Sequence, residues 1–249
     1  MEVHHHSHIP TSREKKWTHY FWEFFMLFFA VTAGFLVENQ REHLIEHQRE
    51  KTYMKTLVED IQLDIGELNN CISFRIKQVK RIDSLLDLLI NHKDSLNDIY
   101  YLARWSTRTN DLFYNDRTMQ QLKNSGGLRL IRNAAVSEKI ILYDARIRQI
   151  IEFRQPLENE SRRDLRHIYS KVLNGSVFNS MLSEDPNIFA IKPVNNPELF
   201  SSKPELINEL VMHAQYLKSI YNVTRSMDIR LVEFGSGLIA LIKKEYHLK

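Results

Sequence analysis

His43-Leu44-Ile45-Glu46-His47 is the stretch of this chain whose residue types and spacing best match a reactive site, the H-x-x-E-H pattern of a zinc peptidase. On a helix the two imidazoles stand one turn apart, where both can ligate zinc, and Glu46 can take a proton from metal-bound water. Such a centre also needs a third ligand and a substrate cleft. The neighbours here are Gln40, Arg41, Glu42, Gln48, Arg49 and Glu50, a polar setting that supplies neither. A structural zinc shared by His43 and His47 between two subunits is the milder alternative. The expectation is therefore no enzyme and no cofactor, with His43 and His47 kept as weak metal candidates beside Glu46.

Other reactive residue types fare worse. His4, His5, His6 and His8, ahead of Pro10, read as a disordered or appended histidine tail. Ser236 lies between Gly235 and Gly237 without the spacing or preceding strand of a nucleophile elbow, and no glycine-rich phosphate loop occurs. The single cysteine, Cys71, excludes an intrachain disulfide or a cysteine zinc cluster and reads as inert packing. Basic residues (34) and acidic residues (31) are intermixed, which argues against nucleic acid as a partner. The groups Lys77, Lys80, Arg81 and Arg162, Arg163, Arg166 read as solvated helix faces.

The elements that carry these residues begin with a tail, 1–16, and an apolar segment, 17–37. Tyr20 to Val37 holds one charge, Glu23, in 18 residues. As a helix it spans about 27 Å, close to a hydrocarbon core of roughly 30 Å. Trp17, Tyr20 and Trp22 gather at its start, where amphipathic rings prefer the headgroup zone. A signal peptide cleaved near Val31-Thr32-Ala33 is the competing reading, but the apolar run continues to Val37 into a charged helical pattern. The expectation is one retained transmembrane helix. Positive residues on its two sides are tied; the orientation taken is N-terminus cytoplasmic and domain outside.

Glu23, Leu27, Ala30 and Gly34 share one narrow face of that helix, and Ala30-x-x-x-Gly34 is the small-residue spacing that lets two spans approach closely. This face predicts a homo-oligomer or another membrane protein as partner, beside the lipid bilayer. Glu23 could also serve a pore or a membrane complex, or simply snorkel to the interface.

Residues 38–53 read as a polar helical stalk, and 54–249 as a helical-bundle domain. From Met54, seven-residue spacings through Val58, Ile61, Ile65, Leu68, Ile72, Val79, Ile82, Leu86 and Leu89 form a seam broken only by Arg75. It predicts a helix to about Asn91, packed against helices of its own domain or of a second subunit. A short helix is expected over Ser95 to Thr107, and another opened by a Thr118-x-x-Gln121 capping box and stopped by Ser125-Gly126-Gly127. Ser137 to Phe153, then Pro156 to Asn174, predict a helical hairpin. The proline-rich stretch 175–201 predicts an irregular loop, the best placed for mobility or ligand contact. Ser202-x-x-Glu205 predicts the cap of a last long helix. The fold class is all-α: a transmembrane helix continuing into a long helix, then an antiparallel bundle.

Lys15-Lys16-Trp17-Thr18-His19-Tyr20-Phe21-Trp22-Glu23-Phe24-Phe25, with Gly34-Phe35-Leu36-Val37-Glu38-Asn39-Gln40-Arg41-Glu42-His43, resembles the opening of an uncharacterised family of bacterial membrane proteins, mainly from Bacteroidota. Met119-Gln120-Gln121-Leu122-Lys123-Asn124-Ser125-Gly126-Gly127-Leu128-Arg129-Leu130-Ile131 is similar to a segment of a related family of unknown function. The resemblance implies an inner-membrane protein with one N-terminal span and brings no activity or catalytic residue. The function expected is a membrane-anchored helical interaction or sensory module that self-associates through Glu23, Ala30, Gly34 and the Met54 to Leu89 seam.

Overall fold

The computed structural model describes residues 14–91 and 95–248, with side chains from 17 onward. His4, His5, His6 and His8, and residues 1–13 of the tail expected over 1–16, lie outside the described residues, whereas 14–16 belong to the first helix. Among the described residues there are six α-helices: α1 (Glu14–Ile90), α2 (Leu96–Ser106), α3 (Arg117–Asn124), α4 (Ala134–Val172), α5 (Gly175–Ser180) and α6 (Pro204–Glu245), with a 3-10 turn at Gly127–Leu130. Among the described residues there is no strand, so the chain is all-α.

The chain divides into two units, 1–52 and 53–249, and α1 supplies residues to both. In the first unit, α1 includes one stretch long and apolar enough to cross a membrane, and none of that stretch is buried. Glu23, Leu27, Ala30 and Gly34 are all exposed there, and a Cβ added at Gly34 would meet nothing within 4 Å.

In the second unit, α1, α4 and α6 form a three-helix bundle with two apolar cores. One core joins Met54, Leu57, Val58, Ile61 and Leu68 of α1 to Val136, Ile140, Tyr143, Ile147 and Ile150 of α4 and Leu231, Leu238 and Ile242 of α6. The other joins Ile82, Leu85, Leu86 and Leu89 to Leu165, Ile168 and Val172, and to Leu210, Ala214, Leu217 and Tyr221. Each such buried aliphatic side chain stabilises the fold by about 1.5–3 kcal/mol. The order of residues in the two cores makes α4 parallel to α1 and α6 antiparallel to both. The seam therefore faces helices of its own chain, with Ile65, Ile72 and Val79 half-buried at its margins.

Several local expectations are corrected. Ser137 to Asn174 forms no hairpin: α4 runs unbroken through Pro156. Proline removes one intrahelical hydrogen bond, but Pro156 is exposed, and buried Arg154, Glu158 and Leu165 on either side hold the helix in the bundle. Asn133, not Ser137, caps α4, its side chain accepting the Val136 N–H at 3.2 Å. The Thr118 capping box is not made. Asp60 of α1 reaches across to accept the Thr118 N–H at 2.9 Å, satisfying one helix-start donor from outside the helix, and also accepts from the Arg117 side chain, Nη2, at 2.8 Å. Gly126, at φ 66°, closes α3 in the left-handed conformation that favours glycine. Lys203 and Pro204, rather than Ser202, begin α6. Within 175–201 a short helix, α5, forms, and the remainder is tied down. Ile191 N–H donates to the Met181 carbonyl at 2.9 Å, and Tyr100 Oη donates to the Glu198 carbonyl at 2.9 Å.

Candidate functional site

Between the two apolar cores the bundle holds a layer of buried charge. Arg75 stands where the heptad seam breaks and is fully buried. Its Nε donates to Glu158 Oε1 at 3.0 Å and Thr224 Oγ1 at 2.9 Å, its Nη2 to Glu158 Oε1 at 2.8 Å, and its Nη1 to Asp228 Oδ2 at 2.9 Å. Arg154 Nη1 donates to Asp228 Oδ1 at 2.8 Å, and Arg162 Nη1 to Glu158 Oε2 at 3.1 Å. The reading of Arg162 as part of a solvated face is thus overturned: it is 1% exposed, held by Glu158 and by Asn159. Three guanidinium groups face two carboxylates, and the buried Arg154 Nη2 and Arg162 Nε have no hydrogen-bond partner. Burial works against the Arg75 charge, yet Glu158 and Asp228 outweigh it and raise its pKa. For Asp228 burial wins over Arg154 and Arg75, and its carboxyl sits above the usual range. This layer is structural in character: it is closed to solvent and its charges face one another.

The surface offers a different arrangement. A cleft of about 570 Å³ is lined by Arg104, Thr107, Arg108 and Thr109 at the end of α2, Arg166, Tyr169, Ser170 and Leu173 of α4, and Gly175, Phe178 and Phe189. No carboxylate lines it. Among the described residues Arg104, Arg108 and Arg166 form no ion pair. Two of them lie over aromatic faces instead: Arg104 Cζ is 5.5 Å from the Phe178 centroid, and Arg108 Cζ is 4.5 Å from that of Phe189. Arg81 lies over Trp105 at 4.2 Å, as Arg108 does at 5.2 Å. Burial, with the Arg108 charge adding to it, pushes the Arg81 pKa down. One wall is fixed by a buried hydrogen bond of 2.8 Å between Tyr169 Oη and Ser106 Oγ. Chemically the cleft is cationic on its polar side and apolar on its ring-lined side.

Sequence reasoning singled out Arg166 and the 175–201 stretch without joining them, and it missed Arg104 and Arg108. The H-x-x-E-H residues do not converge on a metal. His43 Nδ1 lies 3.9 Å from Glu46 Oε2 and His47 Nδ1 lies 3.4 Å from Glu50 Oε2, each an i,i+3 pair along α1. Among the described residues no group of three or more His, Cys, Asp or Glu side chains could hold a metal ion. Cys71 is buried beside Asn110, and burial pushes its thiol pKa up.

No protein-family model, curated protein or solved structure matches the chain.

Proposed function

We propose that this protein is a membrane-anchored, non-enzymatic sensory or interaction module whose helical-bundle domain binds a ligand in the Arg104–Arg108–Arg166 cleft. The observation that carries the reading is the exposure of the apolar segment: Trp22, Phe24, Leu27, Phe28, Phe29, Val31 and Phe35 are each more than half exposed. A continuous apolar surface of that kind is stable in lipid and unfavourable in water. The bundle has its own cores and does not draw on that segment. The resemblance of residues 15–43 to bacterial membrane proteins supports an inner-membrane location, with the N-terminus cytoplasmic and the domain outside. The open face at Glu23, Leu27, Ala30 and Gly34 supports association of spans in a homo-oligomer. The Met54 to Leu89 seam leaves that proposal, because its residues are spent on the chain's own core.

Fractionation of cells expressing the full chain tests the anchor. The protein is expected in the membrane pellet after alkaline carbonate washing, and Leu27→Arg with Phe28→Arg is expected to release it. A wild-type protein recovered in the soluble fraction refutes the reading. Light scattering in detergent tests association: Gly34→Leu should lower the mass of the wild-type particle, and a monomeric wild type overturns this part.

A further inference from the structure

We infer that the cleft takes an oxyanion, phosphate or carboxylate, carried on a planar apolar body. This rests on the reading of the domain as a binding module and names the ligand class of that site. Arg104, Arg108 and Arg166 bring three positive charges to one concavity without a carboxylate to offset them. An anion relieves that repulsion, whereas a neutral ligand leaves it in place. Cation–π contact of Arg104 with Phe178 and of Arg108 with Phe189 holds both guanidinium groups against the ring-lined side of the cleft. Among the described residues neither guanidinium has an ion-pair partner, so their N–H donors are available to the oxygens of a ligand. Thr107 and Thr109, whose side chains carry hydroxyl donors, line the same cleft.

The size and walls of the cleft specify the rest of the ligand. A bare oxyanion fills only a small part of about 570 Å³, a volume within the range of sites for small organic ligands. Leu173, Phe178 and Phe189 provide an apolar wall, and aromatic rings there reward a planar body by offset or edge-to-face contact.

Calorimetric titration of the full-length protein in uncharged detergent separates these requirements. The probes are naphthyl phosphate, inorganic phosphate and naphthol. Naphthyl phosphate should bind one-to-one and roughly tenfold tighter than inorganic phosphate, with naphthol weaker still. Arg108→Gln and Arg166→Gln alter exposed residues that hold no ion pair. Each should weaken naphthyl phosphate by about tenfold, and Arg166→Gln, which removes no cation–π contact, should do so without lowering Tm. Phe189→Leu should erode the preference for naphthyl phosphate over inorganic phosphate. Equal binding of these two probes overturns the planar body, and binding unchanged in both arginine variants overturns the anion site. Absence of all binding overturns the inference while the fractionation result stands, so failure here is distinct from failure of the anchored-module reading.

Discussion

Replacing Arg75 with methionine tests whether the buried ionic layer holds the bundle together. The substitution keeps an unbranched apolar stem but removes four hydrogen bonds, to Glu158 twice, Thr224 and Asp228. Breaking a buried ion pair by deleting one partner costs about 3–5 kcal/mol. Here the remaining acids keep company: Glu158 retains Arg162 at 3.1 Å, and Asp228 retains Arg154 at 2.8 Å. The layer changes from three cations against two anions to two against two. The cost should therefore fall at the low end, about 3 kcal/mol, which lowers Tm by roughly 6–12 °C in a domain of this size. Asp228→Asn should cost more, because it leaves three guanidinium groups facing Glu158 alone. Arg154→Met should cost least, about 1 kcal/mol, since Arg154 makes one bond in the layer and carries a donor with no partner. Thermal unfolding of the full chain in detergent, followed by far-ultraviolet circular dichroism, measures all three. An Arg75→Met protein as stable as wild type, or an Arg154→Met protein less stable than Arg75→Met, refutes this account of the layer.

Asp64, which accepts the Asn115 N–H at 2.8 Å and the Tyr143 hydroxyl at 3.1 Å, has its pKa raised above 3.8, chiefly by burial. Its contribution to stability is full below that unfolded value and is lost as pH rises through the folded one. Asp64→Asn keeps an acceptor for Asn115, so in Tm measured against pH the wild type should gain on the variant as pH falls towards the unfolded value; parallel curves disprove this. At Gly235 an added Cβ would lie 3.1 Å from Tyr143 Cε2 and 3.3 Å from Ile61 Cγ2, whereas at Gly237 it meets nothing within 4 Å. Gly235→Val should lose about 1–3 kcal/mol by overpacking, while Gly237→Ala should gain about 0.5–1 kcal/mol from helix propensity; urea unfolding ranks them. Cys71, fully buried with its thiol pKa raised, should resist maleimide labelling of the folded protein and react in denaturant; rapid labelling of the native chain contradicts its placement.

The periodic parts of the fold were legible because burial repeats with the helix. The seam from Met54 to Leu89 and the apolar series of α6 from Ile207 to Ile242 both mark faces that the bundle buries, wholly or in part. What stayed hidden was polar residues standing in apolar register. Arg75 occupies a seam position, and Thr224 and Asp228 fill the gap between Tyr221 and Leu231. Read as interruptions, they are the sequence trace of the ionic layer, yet no spacing rule pairs Arg75 with residues 83 and 153 positions away. Helix starts were misplaced for a similar reason. Asp60 does the work assigned to Thr118, and it lies 58 residues upstream. The cleft was illegible because α2, α4 and the 175–201 stretch contribute to it separately, and single arginines on separate helices look alike whether they face solvent or one another.

The ionic layer also restricts how the helices of the bundle can move against one another. Arg75 is bonded to α4 through Glu158 and to α6 through Asp228. Sliding α1 by one turn would shift its side chains about 5.4 Å along the axis, pulling the guanidinium out of reach of both acids and into an apolar core. A piston stroke of α1 through a stationary pair of partners is therefore the costly motion for this domain. The cheaper one carries α4 and α6 along with α1, so that the three helices move as one body at the level of Arg75.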